Sequence, residues 1–198
     1  AITNEDIKTR MASGGSAANT IFAAANFGSN CFHSCKTSDD ESGTFFVNDM
    51  KSANVDCSPS LAGQTLPTGT CLVMVTPDAE RTMNTYLAIS ETLSANEIDE
   101  EAIKQSNYYY MEGYLSTSDT GRDAAIKGKK IAEENNTKTV LTFSDPAMVR
   151  FFQDQLAEML GQGVDLLFCN EEEAMTWADC DTLEASLEKL KEISKQFA

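Results

Sequence analysis

The sequence predicts an α/β fold with a buried parallel sheet, on three observations. Short apolar runs at 108–111, 139–143 and 164–169 each precede a helical stretch, and such βαβ units stack into a parallel sheet covered by helices. The residues after those runs are Glu112-Gly113-Tyr114, Ser144-Asp145-Pro146 and Asn170-Glu171-Glu172-Glu173. All are polar or contain glycine, and ligands of open α/β sheets bind beyond the carboxyl ends of the strands. Residues 70–76 and 81–88 flank Pro77-Asp78 and read as a hairpin set apart from the sheet.

The chain has 198 residues, 41% of them hydrophobic, which suits one domain with a small appendage. No segment approaches the length of a membrane span. Residues 1–10 mix Glu5, Asp6, Lys8 and Arg10, which is unlike a secretory signal. Fifteen basic and 31 acidic residues give a net charge of −16. That charge repels nucleic acid and anionic lipid, and favours a neutral or metal-complexed small ligand. Six scattered cysteines without CxxC spacing read as reduced thiols in a cytoplasmic compartment.

Taken in order, Ser13-Gly14-Gly15-Ser16-Ala17-Ala18-Asn19-Thr20 is the first feature. Adjacent glycines admit close approach of a ligand to the backbone. Ser16 is expected to cap a helix whose face carries Ala17, Ile21 and Ala25, with Asn19 in the first turn among unpaired N–H groups. Read alone, the same stretch is also a tight turn feeding a helix of small residues. Residues 30–36 read as a strand, on which Cys31, His33 and Cys35 share a face. Zinc can use such a trio, but no fourth ligand is evident, and buried strand cysteines are the commoner reading. Ser38-Asp39-Asp40-Glu41 opens a helix carrying Phe45, Phe46 and Met50 inward, so these carboxylates serve its N-terminus. Residues 54–63 read as a loop.

The second hairpin strand carries Thr82, Asn84, Thr85 and Tyr86, so the hairpin suits a cover over a cleft better than a dry core. Ser94-Ala95-Asn96-Glu97 fits a capping box for a helix ending near Lys104. Asp145-Pro146 opens a helix through Phe151, Leu156 and Leu160, and Asn170 opens another. Thr182 caps a final amphipathic helix through Leu183, Leu187, Leu190, Ile193 and Phe197. A chain that stops on such a helix is expected to continue, or to be completed by a partner.

In this order, Ser13-Gly14-Gly15-Ser16-Ala17-Ala18-Asn19, Asp39-Asp40-Glu41-Ser42-Gly43, Pro67-Thr68-Gly69-Thr70 and Asn170-Glu171-Glu172-Glu173 resemble the PfkB family of ribokinase-like carbohydrate and nucleoside kinases. Thr68-Gly69-Thr70-Cys71 and Glu112-Gly113-Tyr114 bring the chain nearest the adenosine-kinase-like branch. The resemblance covers nearly the whole chain. It implies a Rossmann-like three-layer α/β sandwich, partial here, with a small β-lid at about 67–88. It also implies transfer of the γ-phosphoryl of ATP, with Mg2+, to a hydroxymethyl group of a small-molecule sugar or nucleoside. By that resemblance Gly14, Gly15, Ser16 and Asn19 hold sugar hydroxyls. Cys71, Arg81, Met83 and Leu87 lie on lid strands over the substrate, and Tyr114 and Ala147 match positions that stack on a base. Ala147 is too small to stack, which leaves room for a substrate other than a purine nucleoside. Asn170 and Glu173 match the motif that organises magnesium and phosphate, without ligating metal directly. A lid with an exposed apolar face suits a homodimer.

Three family features are missing from the sequence. The N-terminal strand with its substrate aspartate would precede Ala1. The later Asp-Thr-x-Gly-Ala-Gly-Asp motif, which supplies the anion hole and the catalytic base, is absent, as are the adenine-binding segments. No catalytic base is therefore expected within the chain, and 198 residues alone are expected to be inactive. The alternative is a non-catalytic module that holds a polyol in the same cleft.

Overall fold

A computed structural model describes residues 10–57, 59 and 65–198. Most of the charged start and much of the loop read over 54–63 lie outside these residues. The first element, α1 (Ser16–Asn26), is followed by β1 (Cys31–His33), α2 (Glu41–Ser52) and β2 (Val55–Cys57). Gly15, at φ 99°, is the N-cap of α1, so Ser16 is the first helical residue and not the cap. That backbone conformation favours glycine. The strand expected over 30–36 is shorter, and its partner is β2, at residues expected to be loop. β1 and β2 pair in parallel with Cys31 opposite Val55 and His33 opposite Cys57. A small core of Ala18, Cys35, Met50, Val55 and Cys57 closes this unit.

The hairpin forms as expected, from β3 (Thr70–Val75) and β4 (Arg81–Tyr86), paired antiparallel from Thr70–Tyr86 to Val75–Arg81. The Ser94–Glu97 capping box is present on a 3-10 turn, and Asp99 caps the short α3 (Glu100–Lys104) that follows.

The remainder is the α/β repeat. In order come β5 (Tyr108–Glu112), α4 (Asp119–Glu134), β6 (Lys138–Thr142), α5 (Pro146–Phe151), α6 (Gln153–Leu160), β7 (Val164–Phe168), α7 (Glu171–Ala178), α8 (Leu183–Leu190) and β8 (Ser194–Phe197). The four strands are parallel, in the order β5-β6-β7-β8. The connecting helices pack on one face of this sheet. On that face Met111, Leu141 and Leu167 lie side by side and pack on Ala125, Val149, Leu156, Met159, Leu160, Ala174 and Leu190. Gly128 of α4 lies against Tyr109, and a Cβ there would meet the Tyr109 hydroxyl oxygen at 2.2 Å.

Two boundaries differ from the periodicity. The helix expected from Pro146 to Leu160 breaks at Phe152. The helix expected through Phe197 ends at Leu190, and the last residues form β8. There Val164 N donates to Ile193 O at 2.9 Å, Cys169 N to Ala198 O at 3.0 Å and Ala198 N to Leu167 O at 2.9 Å. Strand pairing thus satisfies backbone groups that an unpaired β7 edge would leave open, and the expectation of a chain stopping on a helix is corrected.

Candidate functional site

The carboxyl ends of β5, β6 and β7 are neighbours, and their polar residues meet. Glu112 ends β5, buried. Its Oε1 accepts from the Tyr110 hydroxyl at 3.0 Å and its Oε2 from Ser144 Oγ at 2.8 Å. Ser144 Oγ in turn accepts from Gly113 N at 2.8 Å. Tyr114 follows in a 3-10 turn, with its hydroxyl donating to Ser144 O at 3.4 Å. Burial pushes the Tyr114 phenol up, and the nearby Asp145, Glu112 and Glu173 carboxylates push it further. Tyr114 therefore stands where the ends of β5 and β6 meet.

At the end of β7, Asn170 and Glu173 close a reciprocal cap on α7. Glu173 N donates to Asn170 Oδ1 at 2.8 Å, Asn170 N to Glu173 Oε2 at 3.0 Å, and Asn170 Nδ2 to Glu173 Oε1 at 3.1 Å. Glu173 is 4% exposed. Burial pushes its carboxyl up, the Asn170 N–H opposes this, and Asp145 adds to the rise. Burial and the Glu173 charge lift the neighbouring Cys169 thiol to about 11. Asp145 Oδ1 accepts from Ala147 N at 2.7 Å and caps α5. Magnesium prefers several oxygen ligands in octahedral array. Glu173 spends both oxygens on Asn170, and no three His, Cys, Asp or Glu groups among the described residues are arranged to hold a metal ion. These residues do not make a direct metal centre.

The glycine stretch comes to the same edge. Ser13 fastens it to α2, its N–H donating to Asp49 Oδ2 at 2.9 Å. Gly14, Gly15, Ser16 and Asn19 are exposed, and nothing lies within 4 Å of where a Cβ on Gly14 or Gly15 would sit. The Asn19 N–H donates to Gly15 O at 2.9 Å, while among the described residues its side chain has no hydrogen-bond partner. Thr20, the next residue, donates its hydroxyl to Ser16 O at 3.1 Å, and α1 packs beside β5.

Cys71, Arg81 and Met83 lie on the β3–β4 ribbon, and Leu87 directly follows it. Every residue of β3 and β4 is exposed, and Cys71 Sγ lies 3.2 Å from Oγ1 of its cross-strand neighbour Thr85. The ribbon is anchored at its feet. Asp40, the N-cap of α2, accepts from Gly43 N, Thr68 N and Thr68 Oγ1 at 2.7, 2.8 and 2.7 Å. Ile89 N donates to Pro67 O at 3.1 Å, and a Cβ on Gly69 would meet Leu87 O at 2.6 Å. The sequence places Asp40 in an acidic cluster at the N-terminus of α2 but shows neither its cap nor its hold on Thr68, and it gives Ser144 no role. The turn signal at Ser144-Asp145-Pro146 was visible, whereas the partner across the sheet was not.

Cys31, His33 and Cys35 do not converge on a metal. His33 lies against Phe46, ring centroids 6.1 Å apart, and Cys35 packs with Cys57 in the small core of this unit.

The model of the pfkB family carbohydrate kinases matches residues 2–198. An adenosine kinase of Schizophyllum commune is 32% identical over 115 residues, covering 56% of this chain and 32% of that protein. A ribokinase of Dictyostelium discoideum is 26% identical over 175 residues, covering 86% and 51%. Among solved structures, the adenosine kinase from Sinorhizobium meliloti superposes with a TM-score of 0.83 at 31% identity, over 92% of this chain and 56% of that one. A probable sugar kinase from Rhizobium etli CFN 42 gives 0.82 at 28%, over 91% and 55%. The chain thus spans between a third and about half of these curated relatives.

Proposed function

The chain belongs to the pfkB family of carbohydrate kinases, and we propose that it is the substrate-holding portion of a kinase that phosphorylates a hydroxymethyl group of a nucleoside or sugar. The observation that carries this reading is the packing of α1 on β5, whose end leads into Tyr114, and of α5 on both the Tyr114 turn and α7, in a fold that matches such kinases.

In this reading Gly14, Gly15, Ser16 and Asn19 present main-chain donors, a hydroxyl and an amide to sugar hydroxyls. Tyr114 offers an aromatic surface at the same edge. The ribbon carrying Cys71, Arg81, Met83 and Leu87 closes over the substrate and excludes water, which strengthens the polar contacts beneath it. Asn170 and Glu173 shape the α7 N-terminus where phosphate arrives. ATP, as its magnesium complex, supplies the transferred group. Holding the acceptor hydroxyl in line is the part of the barrier these residues address. Glu112 is not the base, because Tyr110 and Ser144 occupy its carboxylate; we place the base outside these 198 residues.

Exposed Leu72, Val75, Met83 and Tyr86 support pairing of this ribbon with that of a second copy. Six cysteines are free among the described residues, which supports a reducing, cytoplasmic compartment. Among those residues no helix is long and apolar enough to cross a membrane.

The test is a panel of adenosine, other nucleosides, ribose and hexoses, supplied with ATP and Mg2+ to the full-length gene product that carries this chain. Phosphorylation of one of them at a hydroxymethyl group is expected, with none by the 198 residues alone. Binding without turnover by the full-length product would favour the polyol-binding module instead. Turnover by the isolated chain would show that the base lies within it.

A further inference from the structure

In the kinase reading the substrate lies between two walls that belong to different sheets. Gly14, Gly15, Ser16 and Asn19 stand at the start of α1, which packs with β1, α2 and β2 around Ala18, Cys35, Met50, Val55 and Cys57. Tyr114 and the α7 cap belong to the β5–β8 sheet, and among the described residues β1 and β2 form no ladder with it. Lys36 crosses between the two units. It follows Cys35 of the small core, and its side chain is 13% exposed. Its Nζ lies 3.3 Å from Oε1 of Glu97, whose side chain is 3% exposed, and donates to Thr92 O at 2.8 Å. Glu97 Oε2 accepts from Ser94 N and Ser94 Oγ, both at 2.8 Å. The turn Ala95–Glu97 packs on α4, which packs on β5 and β6, and Lys127 of α4 donates to Ala95 O at 3.3 Å. Thr92 ends the 3-10 turn Ala88–Thr92, through which the ribbon returns. Ile89 of that turn donates its N–H to Pro67 O at the ribbon's other foot. One ammonium group therefore fastens the α1 unit to the sheet unit and to the base of the ribbon.

Such a pair adds little net stability, because desolvating two charges offsets most of their attraction, whereas removing one partner strands the other in a buried place. Apolar packing is non-directional and lets two surfaces slide. An ion pair with a second acceptor on Lys36 fixes both distance and direction. We propose that Lys36 and Glu97 are positioning residues, which set the spacing between the α1 wall and the sheet wall of the cleft. The proposal rests on the kinase reading above and deepens it, since neither residue is assigned a contact with substrate.

The test uses the full-length gene product with ATP, Mg2+ and whichever of adenosine, ribose and the other panel members it phosphorylates fastest. Lys36→Met strands the Glu97 carboxylate, and Lys36→Met combined with Glu97→Gln removes both charges while keeping the length of each side chain. Thermal denaturation should show a lower Tm for Lys36→Met and a Tm close to wild type for the double variant. Acceptor kcat/KM should nevertheless fall at least about tenfold in both, since a misplacement of ~1 Å can cost ~100-fold. KM for ATP should stay within about twofold, because Asn170 and Glu173, assigned to the phosphate, lie on the sheet unit.

A double variant that regains acceptor kcat/KM along with Tm overturns the proposal, because the pair would then act on stability alone. So does an unchanged acceptor kcat/KM in Lys36→Met, or a double variant that does not recover Tm. Each of these leaves the kinase reading standing. If Lys36→Met does not fold, the double variant is judged against wild type by the same criteria. If the wild-type product neither binds nor phosphorylates any member of the panel, the kinase reading and this proposal fall together.

Discussion

The Asp40 carboxylate holds Thr68 at two points, its backbone N–H at 2.8 Å and its hydroxyl at 2.7 Å, while capping α2 through Gly43 N. The Thr68 N–H holds this carboxyl below its ordinary value of 3.8; burial works against the shift, and the Thr68 hydroxyl and Gly43 N–H reinforce it. One side chain therefore starts a helix and fastens the foot of the ribbon.

Asp40→Asn tests that double duty. Asparagine caps helices as well as aspartate, so a pure cap would be kept. Here its amide NH2 would face the Thr68 N–H, and the variant should lose about 1–2 kcal/mol of stability, with faster amide exchange in β3 and β4. A folded pKa below the unfolded one gives stability that is present above pH 3.8 and lost as pH falls through the folded value. The gap between wild type and variant in chemical denaturation should therefore narrow below that pH. An Asp40→Asn protein as stable as wild type would reduce Asp40 to a cap.

His33 sets a second pH dependence. Burial lowers its pKa from 6.5 to about 4, so the unfolded chain binds a proton that the folded chain refuses. Its stabilising contribution is complete above pH 6.5 and is lost as pH falls towards 4. Relative to His33→Phe, wild type should lose at most about 3 kcal/mol over that window. The chain has one histidine, so its imidazole proton resonance can be followed alone. Titration of that resonance near 6.5 would show the ring to be solvated.

Asn19→Ala separates binding from structure. Its side chain has no hydrogen-bond partner among the described residues and lies exposed, so thermal stability should change by less than about 0.5 kcal/mol. In the full-length product, substrate affinity should fall about tenfold or more, as when a buried hydrogen bond to ligand is lost. The opposite ranking would return Asn19 to a structural role.

Two glycines should behave oppositely. Gly113→Ala forces a Cβ against the Phe143 carbonyl oxygen at 2.5 Å, backbone that cannot swing away, and should cost about 2–4 kcal/mol. At Gly14 a Cβ meets nothing within 4 Å, so Gly14→Ala should fold as wild type. Any loss of substrate affinity in Gly14→Ala would then report on the approach of ligand to the backbone. Equal stabilities for the two variants would contradict the close junction of β5 and β6.

Much of the fold was legible because local chemistry marks it. Ser94 with Glu97, Asp145 with Pro146, Asn170 with Glu173, and Thr182 each announce a start that the chain honours. The ribbon was legible from its turn and its mixed polarity. The errors lie where partners distant in sequence decide. Val55-Asp56-Cys57 has three residues and a central aspartate, and becomes a strand only because β1 lies beside it. Ile193 and Phe197 continue the spacing of α8, but the open edge of β7 offers strand pairing instead. The site was legible as separate motifs. The Ser144 bridge to Glu112 spans 32 positions, and no local pattern announces it.

Each strand of the four-stranded sheet lies beside its neighbour in sequence. Thr139 and Asp165 meet over 26 positions, Asp165 and Lys195 over 30. Even the tie from Asp40 to Thr68 closes over 28. Closing such loops costs little more entropy from one to the next, and native contacts of short sequence separation favour rapid folding. The sheet can therefore grow strand by strand as the chain leaves the ribosome, each finished edge serving as template for the next arrival.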